Sequence, residues 1–450
     1  MSGDNPARIE LQRELLHASL RDPVIDQINF LNEVMDRYPD AISFAPGAPN
    51  TRFFAEIDIA GAIARYTRYL IEEKGFDQAA VRRHLYQYGP ARGQINELIA
   101  RALRRDESID VAPDAVVITV GAQEGMLLAL RALCSSADDQ LAIVNPFFVG
   151  IAGAASVLGI ETVPVGESEA GVDLDQLAAA CRTARQRGKR VRALYVAPDF
   201  SNPSGTRLEL AARHRLLEAA AQHDIILIED NAYAFTAAPD DRLPTLKAID
   251  AGGRVIYLGT FAKLCFPGAR VGFAVADQMV RDRTGARRLL ADELASIKSM
   301  VTVNTSPICQ AIIGGMLLAH DCSLAALGRH KGLLYRDNLQ LLLDALERYL
   351  GASSNFPYRL SWNAPRGGFF VLMRLPVRVD EELVRLSAAQ YGVLWTPMAN
   401  FYLDDSGSDQ LRLACSYLSP EQIDEGVRRL ALFLQDAQVR RPQAQTRARA

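Results

Sequence analysis

The chain is expected to be α/β: a large unit built on a mostly parallel sheet sandwiched by helices, followed by a smaller α/β unit. Three observations carry that expectation. Short apolar runs near residues 116–120, 141–144, 161–165, 192–197, 225–229, 255–259 and 271–276 alternate with helical periods. Runs without a polar face are how strands covered on both sides read. A chain of 450 residues, 49% hydrophobic and 23% charged, can bury a core large enough for two domains. Beyond Ala325 the pattern changes to a long helical stretch, GLLYRDNLQLLLDALERYL, and then to mixed elements with strands such as FFVLMRLP. The expected limits are 1–75 for an N-terminal arm and entrance segment packing on the small domain, 76–325 for the large domain, 326–435 for the small domain, and 436–450 for a polar, disordered tail.

Taken in chain order, the strand ends carry the chemistry. After Val116–Val120 come Gly121, Ala122 and Gln123 and a helical period, a helix N-terminus whose free N–H groups suit a phosphate. The strand ending near Ala197 leads to the turn Asn202-Pro203-Ser204-Gly205. Thr206 and Glu209 are spaced as a capping box for the next helix, and Asn202 is an amide donor. In DIILIEDNAY the apolar run Ile225–Ile228 is bounded by acids, which places Asp230 at the carboxyl end of a buried strand. A carboxylate there needs a cationic partner or donors; alone, it reads more often as a cap on the following turn. From Val255 to Ala269 the only charged side chain is Lys263. Such a lysine either snorkels into water or sits inside with its amine driven towards nucleophilicity, as a Schiff-base lysine must. Pyridoxal phosphate suits this pair, because its protonated pyridine nitrogen is an electron sink that a buried aspartate keeps charged, with Tyr233 near the ring's phenolic oxygen. Farther on, Leu411, Leu413 and Cys415 alternate as a strand whose other face carries Arg412, a fork that matches a carboxylate. Ser419-Pro420-Glu421-Gln422 then opens an amphipathic helix.

The order of Gly121-Ala122-Gln123, Asn202-Pro203-Ser204-Gly205, Asp230 with Tyr233, and Thr260-Phe261-Ala262-Lys263 followed by Arg270 resembles the fold type I aminotransferases of classes I and II. The likeness runs from about Ile25 to about Leu434. It implies an aspartate aminotransferase-like fold, pyridoxal 5'-phosphate as cofactor, and transfer of an α-amino group between an amino acid and a 2-oxo acid. By resemblance, Lys263 carries the internal aldimine and shuttles the proton, Asp230 partners the pyridinium, and Asn202 and Tyr233 tune the ring hydroxyl. The loop at Gly121, Ala122 and Gln123, with Thr260 and Arg270, holds the phosphate, while Phe148 in NPFFVG stacks on the ring. Arg412 clamps the substrate carboxylate, assisted by Asn202 and the backbone around Gly47. Tyr88 in YQYGPARG is similar to the tyrosine that reaches the neighbouring subunit's phosphate, which implies a homodimer. The overall pattern is similar to the 2-aminoadipate and kynurenine aminotransferases. ELASIKSMVTVNTSP and YGVLWTPMANFY resemble the hydroxyphenylglycine and dihydroxyphenylglycine transaminases of antibiotic biosynthesis, which implies an aromatic or apolar, phenylglycine-type donor.

The chain departs from the family at Ala262, where many relatives carry serine, at Phe148 in place of tyrosine, and at Met398 in place of glycine. Phe53, Phe54, Trp395, Met398, Phe401 and Tyr402 are candidate walls for an apolar substrate pocket, and read equally as core. A net charge of −3 gives no nucleic-acid footprint. The cysteines lack a C-x-x-C and the histidines lack paired spacing, so neither a disulfide framework nor a zinc site is expected. No apolar leader or membrane-length run is visible, so the protein is expected to be cytoplasmic with no membrane partner. The same scaffold also serves lyases, decarboxylases and amine-oxidising enzymes. An aminotransferase-like regulator would need a DNA-binding module for which the segment before the large domain leaves little room.

Overall fold

A computed structural model describes residues 9–22, 33–168, 171–354, 356–357 and 359–447, without the side chains of 400, 405 and 437–447. The central sheet has seven strands: β1 (Val116–Thr119), β2 (Asp139–Val144), β3 (Glu161–Val165), β4 (Arg190–Val196), β5 (Ile226–Asn231), β6 (Val255–Thr260) and β7 (Gly272–Val275). They are the seven apolar runs of the sequence, in the spatial order β1-β7-β6-β5-β4-β2-β3. All neighbours are parallel except β7, which runs against both β1 and β6.

Period-two alternation explains why the inner runs are apolar throughout, because each inner strand feeds a core on either face, whereas the edge strand β3 is half-exposed and reaches one core only. Leu141, Ile143, Ile228 and Leu258 pack with helix α1 (Gly121–Leu133), whereas Ala142, Val144, Leu194 and Leu227 pack beneath α2 (Leu210–His223). The parallel strands direct their carboxyl ends to one edge, where ligands of open α/β sheets collect.

The start of α2 differs from the expected capping box. Glu209 stands at the N-cap without a side-chain cap bond and pairs with Arg207 instead, at 2.7 Å. Thr206 sends its hydroxyl to Glu167 Oε1 at 2.6 Å. The turn folds back on itself through Ser201 N–H to Thr206 O, leaving an extended step before the helix begins. The Ser419 cap does form: Gln422 N–H donates to Ser419 Oγ, and Ser419 N–H donates to Gln422 Oε1.

After α3 (Leu290–Val301), the long α4 (Leu324–Leu350) runs from beside the large sheet into a second core. There β8 (Ser361–Trp362), β9 (Phe370–Arg374), β10 (Thr396–Pro397) and β11 (Gln410–Ala414) form an antiparallel sheet in the order β8-β9-β11-β10. Leu339, Leu342, Val371, Leu411 and Leu413 meet Phe433 of α5 (Pro420–Arg447) in that core. Ile42–Ser43 pairs in parallel with Val393–Leu394, which fixes the early chain to the second body. Of the expected entrance segment, residues 23–32 lie outside the described residues.

One buried ion pair ties down the loop between β4 and α2. Arg213 reaches both oxygens of Asp199, at 2.6 and 3.1 Å, and its remaining donors go to the carbonyls of Pro198, Leu208 and Pro244. Both side chains are almost wholly buried, so removing one partner strands the other in a low-dielectric interior. Asp199→Ala is expected to cost about 3–5 kcal/mol, measured as a fall in the chemical-denaturation midpoint at unchanged slope; a loss within experimental scatter would remove the pair from any anchoring role.

Candidate active site

A cavity of about 430 Å³ opens at the carboxyl edge of the parallel strands, between the two sheets. The first turn of α1 supplies Ala122 and Gln123, the segment after β2 supplies Phe148, and the turn after β4 supplies Asn202. Asp230 and Tyr233 come from β5 and its exit, Thr260, Lys263 and Arg270 from β6 and the loop after it, and Arg412 from β11. Gly47 completes the set from the N-terminal segment.

Lys263 sits on the turn that leaves β6, and its Nζ donates to Gly47 O at 2.7 Å. Burial lowers its pKa to about 8, assisted by Arg412 and Arg270 and opposed by Asp230. A side chain at position 47 would collide with the Phe370 ring, its Cβ only 2.5 Å from Cζ. Glycine therefore lets the early backbone come close enough to take the amine.

Asp230 is buried, and its Oδ2 accepts the Tyr195 hydroxyl at 2.6 Å. Its Oδ1 has no hydrogen-bond partner among the described residues. Burial raises the carboxyl to about 6, against the opposing pull of Tyr195 and Lys263. Tyr233 is likewise pushed above the usual phenol range, first by burial and then by Asp230.

Arg412 is 5% exposed and has no acidic partner among the described residues. Its Nη1 donates to Asn202 Oδ1 at 2.7 Å and its Nη2 to Ala45 O at 2.6 Å, while the guanidinium lies 4.5 Å from the Phe370 centroid. Nε is buried and unpartnered. Burial lowers its pKa to about 10, still charged at neutral pH. At the other end of the cavity, Gly121 opens α1 at φ +72°, and a Cβ there would stand 2.6 Å from Arg270 Nη2. The helix N-terminus and that guanidinium thus converge. A buried cation without a counter-charge, an orphan carboxylate oxygen and a cationic helix start suit a guest with two anionic ends and a proton donor between them.

The family profile described as aminotransferase class I and II matches residues 66–430. The chain belongs to this family. These aminotransferases are pyridoxal-phosphate-dependent transaminases, and the cavity fits that cofactor: Asp230 Oδ1 lacks the donor that a pyridinium supplies, and Arg270 with the α1 start lacks the anion. The chain is 47% identical over 435 residues to the (S)-3,5-dihydroxyphenylglycine transaminase of Amycolatopsis orientalis, covering 97% of both proteins. Among solved structures it is similar to the Pyrococcus horikoshii kynurenine aminotransferase, with a TM-score of 0.77 and 24% identity over 94% of this chain and 98% of that one. The α-aminoadipate aminotransferase LysN of Thermus thermophilus, complexed with N-(5'-phosphopyridoxyl)-L-leucine, follows at 29% identity and a TM-score of 0.72, covering 94% and 100%. The fold is that of the aspartate aminotransferases.

Of the residues expected to bind cofactor or the substrate carboxylate, Gly121 stands just behind the cavity and Tyr88 is 80% exposed outside it; the rest line it. The candidate apolar wall is largely corrected. Trp395 is fully buried between the short strands, its Nε1–H on Ser387 Oγ and its ring near Phe433. Met398 is equally buried, Phe53 packs edge-on against Tyr335, Phe54 is exposed, and Tyr402 donates to Gln410. Phe401 alone of that group reaches the cavity, joined there by Met35, Pro46, Met126 and Val149. Sequence reasoning missed Tyr195 and Thr396; the latter's Oγ1 accepts from Arg412 Nη2 at 3.2 Å.

The lowered amine sets a pH dependence. The neutral form is the nucleophile and accumulates above the folded pKa, so labelling of Lys263 in cofactor-free protein is expected to be half-maximal near pH 8, not near 10.5. Peptide mapping after aldehyde treatment and borohydride reduction at graded pH reads this directly, with Lys263→Ala as the blank; a midpoint above pH 10 would refute the lowered amine.

Proposed function

We propose that this transaminase takes an α-amino acid with an aromatic or apolar side chain, of the phenylglycine type, as its donor. The observation that carries the reading is the inventory of charge. Among the described residues the cavity has three cationic side chains, Lys263, Arg270 and Arg412. Each has a task, which leaves no fourth for a second substrate carboxylate. The wall that remains is Met35, Pro46, Met126, Val149 and Phe401. The 47% identity to a dihydroxyphenylglycine transaminase supports the same reading.

In this reading Ala122, Gln123, Thr260 and Arg270 would hold the phosphate, backed by Gly121, and Phe148 would pack against the ring. Asp230 would partner the ring nitrogen, and Asn202 and Tyr233 the ring oxygen. Pyridoxal phosphate, when bound, supplies the aldehyde and the electron-withdrawing ring that make a substrate Cα proton acidic. Lys263 gives up its contact with Gly47 O and moves that proton, acting as a base with a pKa already near the working range. Arg412, aligned by Asn202, Ala45 O and Thr396, would bind the substrate carboxylate and fix its orientation.

Side-chain selectivity follows from the wall. Burying an aromatic ring contributes roughly 1.5–3 kcal/mol, about one to two decades in kcat/KM. Steady-state kinetics across phenylglycines, phenylalanine, leucine, 2-aminoadipate and glutamate are expected to rank the aromatic donors first, and Arg412→Leu to lose about 10–100-fold for all of them. An acidic donor that wins both half-reactions by a wide margin sinks the apolar reading.

The proposal extends to a cytoplasmic enzyme of antibiotic biosynthesis, testable by cell fractionation and by loss of an antibiotic in a deletion strain. It also extends to a homodimer in which Tyr88, exposed and outside its own cavity, completes the site of the second copy. Sedimentation is expected to give twice 49.3 kDa, and Tyr88→Phe to weaken cofactor retention by about 10-fold; full activity in a monomer would count against composite sites.

A further inference from the structure

Tyr195 was singled out by no motif, yet it holds the cavity's one carboxylate. It lies near the end of β4, where the parallel register sets it opposite Ile228 of β5. Asp230, two residues beyond Ile228, points to the same face and comes beside the phenol. The hydroxyl donates to Asp230 Oδ2 at 2.6 Å, with Tyr195 3% and Asp230 8% exposed, while Oδ1 stays unpartnered. The two oxygens are therefore inequivalent before any guest arrives.

We propose that Tyr195 is a positioning residue that fixes the Asp230 carboxylate in its ionised form and reserves Oδ1 for the cofactor's ring nitrogen. This rests on the reading of Asp230 as the pyridinium partner. The hydrogen bond fixes the plane of the carboxylate, which is otherwise free to turn about its last torsion. It also favours the charged form against burial, since a donor to a carboxylate stabilises the anion over the acid. Three titratable groups surround Asp230: Tyr195 from β4, Tyr233 from the exit of β5, and Lys263 from the turn after β6. Tyr195 is pushed well above its usual range by burial and by Asp230, so it remains a neutral donor. Without it, Lys263 is left, among the described residues, as the group favouring the carboxylate. The carboxyl then tends to keep its proton and to meet the ring nitrogen as a donor instead of an acceptor.

Tyr195→Phe keeps the ring and removes the hydroxyl. In cofactor-free protein, the Asp230 carboxyl band, assigned by infrared difference against Asp230→Asn, is expected to titrate about one unit or more above its wild-type midpoint near 6. In the loaded enzyme, kcat is expected to fall about 10–100-fold, with KM for the donor almost unmoved. Genetically encoded 3,5-difluorotyrosine at position 195, a stronger donor of nearly the same shape, is expected to move the midpoint down, and this arm does not depend on Tyr195→Phe folding. An unshifted midpoint in both variants, or wild-type kcat in Tyr195→Phe, overturns the assignment. Asp230→Asn separates the two layers of argument. If it is slow while Tyr195→Phe matches wild type, only the role of Tyr195 fails; if Asp230→Asn itself turns over normally, the reading of Asp230 fails and takes this one with it.

Discussion

Among the described residues three cationic side chains share one cavity with a single carboxylate, and the innermost of them, Arg412, is buried without an acid beside it. Desolvating unpaired charge is among the costliest things a fold can do. The surroundings offset it in part with neutral oxygens: Ala45 O, Asn202 Oδ1 and Thr396 Oγ1 around Arg412, and Gly47 O at Lys263. Those acceptors come from the N-terminal segment, the β4–α2 loop and the small sheet. Satisfying the cations therefore brings three remote parts of the chain to one place. The architecture on either side can be understood as what is needed to hold that excess positive potential until an anion takes it up.

Much of this was legible because parallel strands leave a plain signature. The seven apolar runs became seven strands, six of them covered on both faces and the edge strand β3 on one, with the helices between them packed on the sheet. Strand direction leaves no such mark, so the antiparallel β7 follows from the crossover and not from its residues. Lys263, Asp230 and Arg412 stood out because charge in an apolar setting is rare. Tyr195 did not, because a tyrosine in the strand RVRALYV is what a core strand ordinarily contains.

The errors have the same root. Thr206 and Glu209 have the spacing of a capping box, but spacing does not say whether another acceptor is nearer, and Glu167 is. Trp395 and Met398 were candidates for the cavity wall because aromatic and thioether side chains suit one; Trp395 went into the second core instead, and Met398 is buried away from the cavity. Side-chain type identifies what a residue can do, whereas destination depends on neighbours hundreds of positions away. The substrate wall is correspondingly the least readable part of the site, assembled from single contributions such as Met35, Pro46 and Val149.

The bond between Arg412 and Ala45 O spans 367 positions. At a ribosomal pace of 5–20 residues per second, that separation of 367 residues means about 20–70 s between the emergence of the acceptor and of its donor. Once β7 has emerged the large sheet can be complete, with Lys263 and Asp230 in place, while the early segment still lacks both the strand at Val393–Leu394 and the arginine that secure it. A nascent chain thus has the large-sheet side of the cavity long before it has the small-sheet side. The cavity closes around its charges only after Arg412 has emerged, and a message truncated shortly before that codon yields a protein with Lys263 in place and the guanidinium beside Asn202 missing.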